Sequence, residues 1–100
     1  GHCAMMRAVA AGIPESMLES VFRFWVHAHV GARLPAYTYI CGSGPNAAVL
    51  HYGHSGAPND RVIKEQDMVL CDCGNETFGY ASDITTTFPA SGTFSSEQRV

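Results

Sequence analysis

The chain has 100 residues, 46% of them hydrophobic and 15% charged, with a formal net charge of −3 and a mean hydropathy near zero. This balance excludes intrinsic disorder. The six basic residues are scattered singly and leave no footprint for nucleic acid. The longest apolar stretch, broken by Arg23 and His27, falls short of a membrane span. One domain at most fits this length, either a small self-standing one or part of something larger.

Residues up to Ala11 read as the tail of a helix, with Ala4, Met5, Ala8 and Ala11 on one stripe and Gly12 as its left-handed stop. Pro14 and Glu15 open a second helix, the acid suiting the positive end of the helix dipole. Met17, Leu18, Val21, Phe22 and Trp25 follow at helical spacing, and Gly31 ends the helix. From Ala36 the texture turns to β, with a strand over Tyr37 to Cys41. The loop 42–46, a short strand over Ala48 to Tyr52 and a second loop over Gly53 to Asp60 come next. Met68 to Gly74 and Tyr80 to Thr87 read as two strands joined by a turn near Gly79. Ser95-Ser96-Glu97-Gln98 resembles the capping box that opens a helix, two residues before Val100. Helix, helix, then antiparallel strands predict an α+β layer. A helix already under way at the start and another opening at the end suggest a chain cut at both ends.

Of the four cysteines, Cys41, Cys71 and Cys73 lie in apolar strand-like runs, where a free thiol acts as a small buried hydrophobe. Cys71 and Cys73 share one face of a strand and are poorly placed to pair with each other. Reduced thiols in the cytoplasm are expected, and no signal-peptide pattern opens the chain.

Asp72 and Asp83 carry the strongest chemical signal, because each interrupts a strand of apolar and small residues. A hairpin turning around Thr77-Phe78 would set them face to face, with Cβ atoms about 5 Å apart. At an effective dielectric near 20, two carboxylates at that distance repel by roughly 3 kcal/mol. Either one is protonated or a cation lies between them, and a divalent metal with oxygen ligands is the simplest cation. A tight turn at Gly74-Asn75 would instead separate them, leaving two unrelated turn or edge residues.

Two further histidines, His51 and His54, flank Tyr52-Gly53 at a strand-to-loop junction, where binding side chains collect but a structural hydrogen bond serves equally well. His27 and His29 point to opposite sides of the predicted helix and cannot share a ligand; one reads as solvated and the other as half-buried. The glycines at 42–44 lack the Gly-Lys-Ser/Thr ending of a phosphate loop. Cys-x-Cys at 71–73 has no partner pair at zinc-finger spacing, and no Gly-x-Ser-x-Gly elbow is present.

The run from Tyr37 to Arg61, with its His-Tyr-Gly-His-x-Gly-Ala-Pro-Asn-Asp core, closely resembles the prolidases (Xaa-Pro dipeptidases) of the pita-bread metallopeptidase family. So do Asp67 to Gly74 and Tyr80 to Gly92, and the similarity spans essentially the whole chain. The resemblance implies that residues 1–100 are the first half of a pita-bread catalytic domain, truncated at both ends. It implies two divalent metals, manganese first, and a metal-bridged hydroxide that hydrolyses Xaa-Pro bonds. Two Asp, one His and two Glu ligate the metals in the family; the two Asp match Asp72 and Asp83. His51 matches a catalytic and substrate-contacting histidine, Tyr37 a tyrosine lining the substrate site, and Thr85 a threonine that supports the second Asp without ligating metal. The implied partners are an Xaa-Pro dipeptide or proline-containing peptide and a second copy of the enzyme, with neither nucleic acid nor membrane.

The other three ligands of the family pattern have no counterpart in this sequence, so the chain by itself is expected to be inactive. A non-catalytic pita-bread module that binds peptide or protein is the alternative from another class. A cysteine-rich redox or metal module is a third, which depends on thiol pairing.

Overall fold

The computed structural model describes residues 1–99. Two helices, α1 (His2–Ala8) and α2 (Glu15–Trp25), precede the strands β1 (Leu34–Pro35), β2 (Ile40–Ser43), β3 (Met68–Cys73), β4 (Asn75–Thr77), β5 (Tyr80–Ala81) and β6 (Ile84–Pro89). This is the expected α+β order. No helix among the described residues is long and apolar enough to cross a membrane.

Helix α1 ends at Ala8, three residues short of the expected stop, with Val9 already extended. The cause is tertiary: Gly12 N donates to Ile63 O and Ile63 N donates to Ile13 O, both at 2.9 Å. That pairing draws residues 9–13 out of helical geometry. Gly12 still takes a positive φ of 94°, in a turn rather than at a helix cap. Helix α2 buries Leu18 and Phe22, and it runs into a wider turn over Val26–Val30 that Gly31 terminates at φ 71°. His27 and His29 are both exposed on that turn, so the half-buried histidine expected there is absent.

The sheet that matters for the site has strand order β2-β3-β6, all antiparallel. Alternation along β3 sends Val69, Cys71 and Cys73 under the helices, where they pack with Met5, Leu18, Phe22, Tyr39 and Phe88. Met68, Leu70 and Asp72 face the other way. The four thiols are free, and those of Cys41, Cys71 and Cys73 are buried in the core. Their mutual contact and burial push the Cys41 and Cys73 thiols up, so they act as apolar filler. The outer edge of β2 is closed by a side chain. The Asn59 carbonyl accepts from Cys41 N and its amide donates to Tyr39 O, both at 3.0 Å, replacing a neighbouring strand.

Residues 48–52 form no strand. Pro45 starts a 3-10 turn over Gly44–Ala48, and the following Val49 and Leu50 are 46% and 81% exposed. Their apolar run therefore marks an open surface rather than a buried strand. At the other end of the chain the capping box forms: Gln98 N donates to Ser95 Oγ at 3.3 Å, and Ser95 N donates to the Gln98 side-chain carbonyl at 2.9 Å. Only one turn, Glu97–Arg99, follows it, and the expectation at Val100 lies outside the described residues.

Candidate active site

The β4–β5 hairpin turns on Phe78 and Gly79, both at positive φ (54° and 81°), which is the backbone of a two-residue primed turn. This moves the register two residues from the one that would oppose the two Asp residues. The cross-strand partner of Asp72 is Thr85, and Ile84 lies opposite Cys73. An even shift keeps each side chain on its face, so Asp83 reaches Asp72 diagonally, from the break between β5 and β6. The ladder is interrupted there. Ser82 N donates to Asn75 O at 3.0 Å and Asn75 N to Ser82 Oγ at 3.0 Å, while Gly74 has no side chain. A Cβ at Gly74 would run into the Ser82 carbonyl and stand 3.1 Å from the Tyr37 ring. Glycine at this position is therefore what lets the strands bend and the ring come in.

The Tyr37 hydroxyl joins the pair, donating to Asp72 Oδ1 and standing 2.9 Å from Asp83 Oδ1. Burial, together with the two carboxylates, pushes the phenol above its usual range, so it holds its proton near neutral pH. One phenol proton serves two carboxylates. Two carboxyl groups that meet at one hydroxyl present hard oxygen donors to the same point, and donors of this kind suit a divalent cation. The described residues thus fit a metal as contributors of two carboxylate ligands. Among them no group of three or more His, Cys, Asp or Glu side chains is arranged to hold one.

These side chains open on a cavity of about 400 Å³ that His51, His54, Ile40 and Tyr52 also line. His51 sits at φ 54°, a left-handed conformation uncommon for a residue with a Cβ, and its side chain is exposed. Thr85 is beside Asp72 on the same face, and it borders with His51 and Leu50 an adjoining hollow of about 300 Å³. The structure therefore brings Tyr37, His51, Asp72, Asp83 and Thr85 into one region. It brings in His54 as well, which the sequence sets beside His51 at the junction flanking Tyr52-Gly53 without choosing between a binding and a structural role.

Glu15 is the residue whose part went furthest beyond expectation. Its side chain leaves the start of α2 and is wholly buried. Ser43 N and Ser43 Oγ donate to it at 2.7 Å each, Tyr52 OH at 2.6 Å and Asn46 Nδ2 at 3.1 Å. Burial and the Glu15 carboxylate push the Tyr52 phenol up to about 12. Arg61 donates to Ser43 Oγ at 2.7 Å and pairs with Asp67, extending the network. Through Tyr52, the neighbour of His51, Glu15 anchors the loop that carries the cavity's histidines. The nearest of these partners in sequence is 28 residues away, so no local pattern announces the network.

The family model for metallopeptidase family M24 matches residues 1–100. The human Xaa-Pro dipeptidase is 52% identical over 98 residues, covering 98% of this chain and 20% of that protein. The Xaa-Pro aminopeptidase of Escherichia coli (strain K12) is 41% identical over 98 residues, covering 98% of this chain and 21% of that protein. Among solved structures, zinc-substituted E. coli aminopeptidase P in complex with product superposes with a TM-score of 0.90 at 41% identity, over 98% of this chain and 21% of that one. Proline aminopeptidase P II from Yersinia pestis gives 0.89 at 41% identity, with the same coverage of 98% and 21%. The chain spans about a fifth of the length of these relatives. With a family model matched from end to end, the fold shared, and two carboxylates converging on one phenol, the chain belongs to metallopeptidase family M24.

Proposed function

We propose that the chain is part of the catalytic domain of a peptidase that hydrolyses Xaa-Pro bonds, a dipeptidase in preference to an aminopeptidase, with more of that domain outside both ends of residues 1–100. Asp72 and Asp83 are two ligands of a site for two divalent ions, manganese foremost. The observation that carries this reading is the convergence of Asp72 and Asp83 on the single hydroxyl of Tyr37. Its support from relatives is the Xaa-Pro specificity in their names and the zinc in one of their structures.

Bound metal would polarise the scissile carbonyl and lower the pKa of a water for attack. The chain's own residues do the rest. Asp72, on the central strand, and Asp83, at the break before β6, hold their oxygens toward one point. Tyr37 keeps its proton on that cluster and walls the cavity with its ring. Thr85, across from Asp72 and two residues beyond Asp83, supports the second Asp without ligating metal. His51, held out by its left-handed backbone, donates to the substrate oxygen on which charge develops. Ile40 and Tyr52 offer apolar surface to a proline ring, whose nitrogen has no hydrogen to be recognised by. The enzyme is taken as homodimeric and cytoplasmic, the free thiols being in keeping with a reducing compartment.

Calorimetric titration with MnCl2 tests the ligand assignment. The chain is expected to take up Mn2+, and the double variant Asp72→Asn with Asp83→Asn is expected not to. Equal uptake by both proteins would overturn the assignment. A non-catalytic peptide-binding module, the reading that the two-ligand cluster also permits, would instead bind Gly-Pro equally well with and without MnCl2. The 100-residue chain, freed of contaminating peptidase, is expected not to hydrolyse Gly-Pro.

A further inference from the structure

We propose that His54 is a specificity residue of this cavity, donating a fixed Nε2–H to the free carboxylate of an Xaa-Pro dipeptide; this rests on the Xaa-Pro reading above. The imidazole is held by its own loop. Gly56 N donates to His54 Nδ1 at 3.1 Å. A neutral imidazole has one protonated nitrogen, so with Nδ1 accepting, the hydrogen resides on Nε2. The turn around it is closed by Ala57 N to His54 O at 2.8 Å and Gly53 N to Ala57 O at 2.6 Å. Gly53, at φ 102°, lies so close to the Tyr39 carbonyl that a Cβ there would collide with it, which docks the turn on the chain entering β2. A Cβ at Gly56 would stand 3.2 Å from His54 Cε1, so the ring is seated against bare backbone. The structural hydrogen bond uses one nitrogen and orients the other.

The cavity then has two kinds of lining. Asp72 and Asp83 are acceptors that attract cations and repel anions, whereas His51 and His54 come from one loop and can donate. A dipeptide ending in proline presents a carboxylate directly after the ring, and it lacks the N–H that other residues offer for recognition. That anion must be met by donors, and a charge-assisted bond to it is about twice as strong as one to a neutral carbonyl. A longer peptide, or a proline amide, presents the neutral carbonyl at the same place. A donor positioned in advance at His54 favours the free dipeptide, and little ordering is lost when it binds.

The test is a titration of the full chain, in the presence of MgCl2, with Gly-Pro and with Gly-Pro amide, followed by imidazole 1H–15N correlation spectra. His54 is expected in the Nε2–H tautomer before ligand is added, and Gly-Pro should shift that resonance saturably. His54→Phe, which keeps a ring and removes the donor, should weaken Gly-Pro about tenfold while moving the amide less than twofold. His54→Gln, which restores an N–H, should recover most of the loss. An Nδ1–H tautomer, an equal loss for both ligands or no loss for either would overturn the proposal. Binding by the wild type that is indifferent to His54 rejects this proposal alone, whereas wild-type binding of Gly-Gly as tight as that of Gly-Pro rejects the Xaa-Pro reading and this inference with it.

Discussion

Glu15 and the Asp72–Asp83 pair both set carboxylates on an apolar scaffold, and the surroundings treat them in opposite ways. At Glu15 one buried carboxylate receives two hydrogen bonds from Ser43 and one from Tyr52, with Asn46 alongside. At the other site two carboxylates share the one proton of Tyr37. Burying a charge costs several kcal/mol unless it is paired or well hydrogen-bonded, and Glu15 satisfies that condition within the chain. The pair leaves the demand open on a solvent-facing side of the sheet. A carboxylate with all its donors supplied is structural; two that converge on a single hydroxyl donor are arranged for something that arrives from outside.

The largest effect is expected at the satisfied acid. Glu15→Ala leaves the Ser43 amide and the Tyr52 hydroxyl as buried donors without their acceptor. At about 1–3 kcal/mol for each such group, the loss amounts to about 2–6 kcal/mol. Urea unfolding followed by the single tryptophan, Trp25, should show a lower midpoint at unchanged slope. Glu15→Gln, which keeps one acceptor oxygen, should fall between. A change below about 1 kcal/mol for the alanine variant would mean that water replaces the carboxylate and that the network is incidental.

Next in size is Asp67, at the far end of the same network, where Arg61 pairs with it and Lys64 N donates at 2.8 Å. Burial alone would raise its pKa, but the Arg61 contact and the Lys64 hydrogen bond outweigh burial and hold the carboxyl below its usual range. A group with a folded pKa beneath its unfolded value of about 3.9 stabilises the fold above that value. The contribution is lost as the pH falls through the lower, folded value. Asp67→Asn should therefore cost about 1.5–3 kcal/mol at neutral pH, with the gap from wild type closing below about pH 4. Unfolding midpoints measured across that range check it, and a gap that persists into acid would assign the loss to packing.

How much of this could be read in advance divides along the same line. Helix α2, its Gly31 stop, the β3 alternation and the Ser95–Gln98 capping box depend on neighbours within four residues or on a simple period, and they were legible. The strand expected over 48–52 was not formed, because Pro45 and the Asn46–Glu15 contact turn the chain first. The hairpin register missed by two residues because Phe78 takes a left-handed conformation that its residue type does not advertise. The two Asp residues stood out against apolar strands, since chemistry that conflicts with its surroundings is visible locally. Glu15 did not stand out. Its acid suits a helix start, and its partners are distant in sequence.

The smallest effect should also have the opposite sign. Asp83→Asn keeps a polar group beside Tyr37 and removes one of two like charges, so without divalent cation it should stabilise the chain by about 0.2–1 kcal/mol, the range of cross-strand charge pairs. Saturating MnCl2 should reverse the order. The wild type gains stability by mass action as the cation binds the folded state, and the variant does not. Thermal unfolding of both proteins, with EDTA and with Mn2+, therefore predicts melting curves that exchange places. If Asp83→Asn is the less stable protein in EDTA, Asp83 has a structural partner like that of Glu15, and the contrast between the two sites fails. If the curves keep their order in Mn2+, the two like charges do not hold a divalent cation within this chain.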